Sequence, residues 1–178
     1  MSTSAKDLRI VFMGTPEFAS TSLKHLVKEG YNIVAVVTTP DKPAGRGQKM
    51  HQSDVKLTAL ELGLPILQPE KLRDESFLEA LRELNVDLGI VIAFRMLPES
   101  VWNMPRLGTF NLHASLLPQY RGAAPMQRAI IDGKTVTGIT TMLMADGIDT
   151  GDMLLKAEVE IGENDNFEDI HDRLAECG

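Results

Sequence analysis

The sequence predicts an α/β fold, built as a doubly wound, mostly parallel Rossmann-like sheet with a late antiparallel strand. Short apolar runs alternate with amphipathic helical segments from near the amino terminus onward. The first strand, helix and second strand fit within about thirty residues, which is the length of a parallel strand–helix–strand unit. Near the carboxyl terminus two runs of alternating apolar and polar residues follow each other directly, as in an antiparallel pair.

The first strand–helix–strand unit has recognisable ends. Residues 8–13 form an apolar strand that stops at Gly14, and Pro16 suits the first turn of a helix because the missing N–H is not needed there. Gly30 ends that helix. Residues 32–38 form the second strand, which is rich in valine and isoleucine.

The later elements are predicted in the same way, and residues 39–52 between them are expected to be irregular. That segment contains two prolines and two glycines and has few side chains to bury. The remaining predicted elements are a helix from Ser53 to Gly63, a peripheral strand over 65–67, a helix from Asp74, a buried strand over 87–92, a short helix after Pro98, a strand over 108–113, a helix over 126–131, strands over 136–144 and 153–161, and a helix over 166–177.

Composition indicates one globular domain. The chain has 178 residues, of which 43% are hydrophobic and 24% charged. A single cysteine, Cys177, excludes an internal disulfide and a cysteine-cluster metal site, and fits a reducing cytoplasm. The first residues carry no secretory signal, and no apolar run reaches the roughly 20 residues that span a bilayer. We therefore expect a cytoplasmic protein with no membrane contact, no metal and no obligate protein partner.

Two polar stretches stand out as candidates for a catalytic site. Asn111 and His113 lie two apart on a predicted strand, so their side chains project from the same face near its carboxyl end. Ligands bind at the carboxyl ends of strands in doubly wound sheets. The second stretch, residues 146–152, contains three aspartates, and on composition alone Asp146, Asp149 and Asp152 are equal candidates for a carboxylate that orients a histidine.

These residues, taken together, resemble the folate-dependent formyltransferases. The similarity rests on Asn111-x-His113, on the run from Ser115 to Gly122 (Ser-Leu-Leu-Pro-Gln-Tyr-Arg-Gly), and on Asp149-Thr-Gly. Gly14-Thr-Pro-Glu-Phe, residues 40–47 and Arg121-Gly-Ala-Ala-Pro are similar to the branch that acts on initiator tRNA. The resemblance covers nearly the whole chain, from residue 8 to the end, and implies the formyltransferase fold.

The resemblance implies a reaction and a role for each matching residue. A formyl group would move from 10-formyltetrahydrofolate to the amino group of methionine on initiator methionyl-tRNA. Asn111, His113 and Asp149 match the family's catalytic residues, with Asn111 and His113 at the oxyanion and the protons and Asp149 tuning the histidine. The family's folate contact matches four consecutive residues, namely Ser115, Leu116, Leu117 and Pro118.

The family's tRNA contact matches the locally basic segment, with candidate residues Lys42, Arg46 and Lys49. The formal net charge of −7 argues against a generally basic nucleic-acid surface, so we expect binding to be local. Family members carry a further carboxy-terminal β-barrel domain that helps to hold tRNA. We expect the chain to be the catalytic domain, residues 1–178, truncated before that barrel.

Other interpretations of these segments remain open. His113 could be a structural histidine, Asp149 a turn aspartate, Leu116 and Leu117 plain core, and the basic segment a solvated loop. Residues 93–98 depart from the family pattern, so Arg95 is left without a role. The alternative functions are formyl transfer to a small amine, either an amino-sugar nucleotide or glycinamide ribonucleotide, and a folate-binding module without transfer activity.

Overall fold

The computed structural model describes residues 4–47, 49–145 and 151–178, and it has the predicted α/β fold. The main sheet has the strand order β5-β2-β1-β6-β7-β8-β9, and β3 and β4 form a separate two-stranded sheet. The strands are β1 (Ile10–Gly14), β2 (Ile33–Val37), β3 (Lys42–Ala44), β4 (Lys49–His51), β5 (Ile66–Leu67), β6 (Leu88–Ile92), β7 (Thr109–His113), β8 (Val136–Leu143) and β9 (Met153–Glu160). The helices are α1 (Glu17–Lys28), α2 (Asp54–Glu61), α3 (Glu75–Glu83), α4 (Glu99–Trp102), α5 (Pro125–Ile131) and α6 (Phe167–Cys177).

The chain divides into two compact units, and the first comprises residues 1–109. Its sheet strands β5, β2, β1 and β6 are all parallel. From β1 the chain adds β2 and β5 on one side and β6 on the other, so the sheet is doubly wound as predicted. Strand β1 is buried along its whole length, and Phe12 and Met13 have no exposed surface.

The second unit comprises residues 110–178 and contains the antiparallel part of the fold. Strand β8 pairs antiparallel with β7 on one side and with β9 on the other. The sequence predicted this pairing for β8 and β9. Helix α6 begins at a capping box, in which the Asn166 side chain accepts from the Asp169 N–H and the Asp169 carboxylate accepts from the Asn166 N–H.

One prediction for the first unit was wrong. Residues 39–52 were expected to be irregular, but β3 and β4 form a hairpin there, with Lys42 opposite His51 and Ala44 opposite Lys49. Every residue of both strands is exposed. Because neither face is buried, the strands lack the apolar alternation by which a sequence indicates a strand.

Candidate active site

Asn111 and His113 lie on β7 as the sequence predicted, two residues apart and on the same face of the strand. Asn111 is half-buried, and the His113 side chain is almost fully buried. In the antiparallel register Asn111 lies opposite Met142 and His113 lies opposite Thr140. Two polar side chains are therefore placed next to each other at the carboxyl end of the strand.

The ring of His113 is oriented by the loop that follows β7. Its Nε2 lies 2.8 Å from the carbonyl oxygen of Tyr120. A carbonyl oxygen can only accept a hydrogen bond, so Nε2 carries the proton in this contact and acts as the donor. The neutral ring is thereby assigned the tautomer with a proton on Nε2.

Tyr120 itself is held by helix α5. Its hydroxyl donates to Asp132 Oδ2 at 2.7 Å, and the Arg128 guanidinium lies over its ring, 5.5 Å from the centroid. Arg128 also donates to the carbonyl oxygen of Arg121 at 2.7 Å. The hydrogen bond to Asp132 raises the pKa of the Tyr120 phenol above its usual value. Tyr120 adopts a left-handed backbone (φ 57°), a conformation that is uncommon for residues other than glycine.

Ser115–Pro118, the candidate folate contact, is fixed mainly by bonds inside the second unit. Thr140 Oγ1 donates to the Ser115 carbonyl at 2.7 Å and accepts from the Leu117 N–H at 3.1 Å. Ser115 Oγ donates to the Gln119 carbonyl at 2.7 Å, and the Lys156 ammonium donates to the Leu117 carbonyl. These hydrogen bonds hold the backbone of the segment in one conformation. Only the exposed surface of the segment is therefore available to a ligand.

The side chains of this segment differ in exposure. Leu117 is 2% exposed and belongs to the core, whereas Leu116 is half-buried and Pro118 is exposed. Leu116 packs against β8 at Gly138, where a Cβ would lie 2.7 Å from Leu116 Cδ2. A ligand can therefore touch the side chains of Leu116 and Pro118, while Leu117 is buried and its backbone groups are bonded to Thr140 and Lys156.

The carboxylate expected to pair with His113 is the third catalytic candidate. Asp149 and its competitor Asp146 lie outside the described residues. Asp152 is described and exposed, and its backbone carbonyl accepts from the Leu143 N–H at 2.9 Å. The role of Asp149 stays a prediction.

The three candidate tRNA-binding residues are carried by the β3–β4 hairpin of the first unit. We define the basic hairpin as residues 42–47 and 49–51. Residues paired across an antiparallel hairpin project from the same face, so Lys42, Lys49 and His51 share one face. Arg46 is exposed in the turn, and the segment contains no acidic residue. The hairpin therefore offers a solvated cationic face.

Arg95, left without a role from the sequence, has structural contacts in the first unit. Its guanidinium donates to the carbonyl oxygens of Pro69 at 2.8 Å and Glu70 at 2.9 Å, and lies 5.1 Å from the centre of the Phe94 ring. Partial burial lowers the pKa of the guanidinium. These contacts tie the end of β6 to the segment after β5.

Residues 4–47, 49–145 and 151–178 contain no cluster of three or more His, Cys, Asp or Glu side chains that could hold a metal ion. Within the same ranges, no helix has the length and the apolar character needed to cross a bilayer.

The doubly wound sheet places this chain among the α/β proteins, which typically bind ligands at the carboxyl ends of their strands. Residues 8–178 match the family model described as formyl transferase, so the chain belongs to the formyl transferase family. It is 62% identical over 173 residues to methionyl-tRNA formyltransferase of Bacteroides thetaiotaomicron and 60% identical over 174 residues to methionyl-tRNA formyltransferase of Flavobacterium psychrophilum. Both alignments cover 97% of this chain but only 54% and 55% of the relatives, so the chain spans about half their length.

Solved structures with the same fold are more distant in sequence. Phosphoribosylglycinamide formyltransferase from Anaplasma phagocytophilum has a TM-score of 0.78 at 22% identity, covering 97% of this chain and 81% of that one. A formyltetrahydrofolate deformylase from Pseudomonas syringae has a TM-score of 0.74 at 19% identity, covering 96% of this chain and 57% of that one. At these identities the likeness shows the fold alone, and it confirms the predicted fold class.

Sequence reasoning missed three contributors to the geometry, namely Tyr120, Thr140 and Lys156. Tyr120 contacts His113 through a backbone oxygen, which every residue type has, so its identity gives no signal. Thr140 is fully buried on β8, and a polar residue at an inward position was the one available signal. For Lys156 the sequence contains no signal that we can identify.

Proposed function

We propose that this chain carries the catalytic part of an enzyme that transfers a formyl group from 10-formyltetrahydrofolate to the amino group of methionine on initiator methionyl-tRNA. The observation that carries the proposal is the placement of Asn111 and His113 on one face of β7, directly before the Ser115–Pro118 segment. Family membership and the names of the relatives support the same reaction.

The reaction needs two kinds of help that these residues can give. The amine nitrogen bonds to the formyl carbon, the formyl oxygen gains negative charge, and the bond from the carbon to the folate nitrogen then breaks. The Asn111 amide N–H can donate to that oxygen as the charge develops. One proton must leave the amine and one must reach the folate nitrogen, and a positioned imidazole is suited to that exchange.

Asp149 is proposed as the carboxylate that orients His113 and favours its charged form when a proton arrives. The exposed surface of Ser115–Pro118 is proposed as the wall against which the folate lies. A wall held in place before the ligand arrives lowers the entropic cost of binding. No metal or covalent nucleophile is required by this scheme.

Lys42, Arg46 and Lys49 are proposed as contacts to the tRNA backbone. Phosphate contacts of this kind position the nucleic acid and carry no sequence information. A local cationic hairpin can do this although the chain as a whole has a formal net charge of −7. The further carboxy-terminal domain expected from the resemblance stays a prediction.

The test is transfer of labelled formyl from 10-formyltetrahydrofolate to charged initiator tRNA, glycinamide ribonucleotide and an amino-sugar nucleotide in parallel. Labelling of the tRNA alone supports the proposal. Labelling of a small amine instead would keep the chemistry and replace the acceptor. Folate binding without any transfer would favour the inactive folate-binding module.

The roles of Asn111 and His113 are tested by alanine substitution in the same assay. We expect Asn111→Ala and His113→Ala each to lower turnover by about 100-fold or more, the usual effect of losing an oxyanion donor or a general acid–base. Because Asn111 is only half-buried, Asn111→Ala should lower the thermal stability little. Near-normal turnover of both variants would contradict the assignment.

A further inference from the structure

The basic hairpin is not held in place by burial of its own side chains. All residues of β3 and β4 are exposed, and the apolar Met50 is 59% exposed. A two-stranded hairpin alone is at best marginally stable in water. Its orientation must therefore depend on the residues that precede and follow it.

Asp41 lies directly before β3, and it makes the main side-chain contacts at the start of the hairpin. Its Oδ2 accepts from the Lys56 ammonium at 2.7 Å, and its Oδ1 accepts from the Gln68 amide at 2.8 Å. The same Gln68 nitrogen donates to the Thr39 carbonyl at 3.0 Å. The hydrogen bond from Lys56 is the main reason that the pKa of the Asp41 carboxyl is below its usual value. The side chains of Asp41 and Lys56 are 24% and 14% exposed, so the ion pair is largely shielded from water.

The other end of the hairpin is joined to the same region by a buried bond. Ser53 Oγ lies 2.6 Å from Thr38 Oγ1, and these two residues are 6% and 0% exposed. Ser53 also caps α2 by accepting from the Lys56 N–H at 3.0 Å. Lys56 is thus bonded through its backbone to Ser53, which follows the hairpin, and through its ammonium to Asp41, which precedes it.

We propose that Asp41, held by Lys56 and Gln68, is a positioning residue that keeps the basic hairpin in the orientation in which it binds initiator tRNA. This inference rests on the proposed function. A hairpin that is already oriented binds without an ordering cost, whereas one that samples other orientations binds more weakly in proportion to the fraction correctly placed.

A positioning role and simple electrostatics predict opposite effects of neutralising Asp41 on the affinity for tRNA. Asp41 is an anion beside a proposed phosphate-binding segment. Neutralising it removes repulsion and frees the Lys56 charge, so electrostatics alone predicts tighter binding of RNA. If Asp41 positions the hairpin, its neutralisation instead weakens binding.

The experiment compares Asp41→Asn and Gln68→Leu with a matched control, Glu61→Gln. Glu61 is exposed at the end of α2, so the control removes the same charge as Asp41→Asn without touching the hairpin. Gln68→Leu removes the hydrogen bonds and leaves the charge unchanged. The measurements on the 178-residue chain are the Kd for charged initiator tRNA at fixed salt and amide hydrogen exchange of peptides covering residues 40–52.

We expect both Asp41→Asn and Gln68→Leu to bind tRNA about 3- to 10-fold more weakly and to exchange faster in the hairpin. Glu61→Gln should bind at least as tightly as the unaltered chain, with unaltered exchange. Equal or tighter binding by Asp41→Asn overturns the inference. Weaker binding without faster exchange also overturns it, because the hairpin would then have kept its order.

Arg46→Ala separates failure of the inference from failure of the proposed function. If Arg46→Ala weakens binding and Asp41→Asn does not, the hairpin contacts tRNA but Asp41 does not position it. If the unaltered chain binds tRNA no better than Arg46→Ala does, the proposed tRNA contact and the positioning role both fail.

Discussion

The imidazole of His113 is oriented by main-chain and side-chain groups that follow it in the sequence. The Tyr120 carbonyl accepts a hydrogen bond from His113 Nε2, and Tyr120 is in turn held by Asp132 and Arg128. Arg128 also bonds to the carbonyl of Arg121, so one guanidinium fixes two adjacent residues of the loop. Catalytic efficiency depends strongly on such orientation, because a small misplacement of a proton-transfer group raises the barrier.

We therefore predict that Arg128→Ala lowers kcat for formyl transfer by about 10-fold and leaves KM for the folate largely unchanged. Arg128→Lys should recover part of the loss, since an ammonium can still lie over the Tyr120 ring. The measurement is steady-state kinetics of both variants, with Lys134→Ala as the control for removing an exposed positive charge just after α5. A rise in KM with unchanged kcat would contradict the positioning role.

At the scale of the element, the contact between β8 and β9 leaves no room for a side chain at Gly138. A Cβ there would lie 2.1 Å from the Ala157 carbonyl oxygen and 2.7 Å from Leu116 Cδ2. At Gly89 in β6 the obstacle is the Thr109 side chain, whose Oγ1 would be 2.5 Å from the added carbon. A side chain can rotate away, but a paired backbone cannot move without separating the strands.

Gly138→Ala should thus destabilise the fold by about 3 kcal/mol or more, and Gly89→Ala by about 1–2 kcal/mol. Urea unfolding followed by circular dichroism measures both. Because Gly138 also packs on Leu116, Gly138→Ala should in addition weaken folate binding more than Gly89→Ala does. Equal destabilisation by the two substitutions would show that β9 yields as easily as the Thr109 side chain.

Most of the elements that the sequence predicted well bury apolar side chains, as β1 does along its whole length. Asn111 and His113 were placed on one face because a strand has a period of two residues. The hairpin of β3 and β4 was missed because both of its faces are solvated, and Asp41, directly before it, bonds to Gln68, which is 27 residues away in the sequence. The hydrogen bond between His113 and the Tyr120 carbonyl was missed because every residue has a backbone oxygen, so the sequence gives no signal of such a contact.

At the scale of the whole molecule, an acidic chain is proposed to bind a polyanion. The formal net charge is −7, whereas the basic hairpin carries Lys42, Arg46 and Lys49 without an acidic residue. At physiological ionic strength exposed charges are screened beyond about 8 Å. Binding should therefore follow the charges of the hairpin and depend little on the net charge of the chain.

Two triple variants with the same net charge test this. Lys42→Ala, Arg46→Ala and Lys49→Ala together remove three positive charges, taking the formal net charge from −7 to −10. Replacing the exposed Lys24, Lys71 and Lys134 with alanine gives the same total.

We expect the hairpin variant to bind tRNA about 10-fold or more weakly. The dependence of log Kd on log salt should also become less steep, since each lost phosphate contact lowers that slope by about 0.7–0.9. The variant with the distant lysines should keep both its affinity and its slope in a salt titration. Equal losses in the two variants would mean that the overall charge governs the encounter, and the basic hairpin would then have no special part in binding.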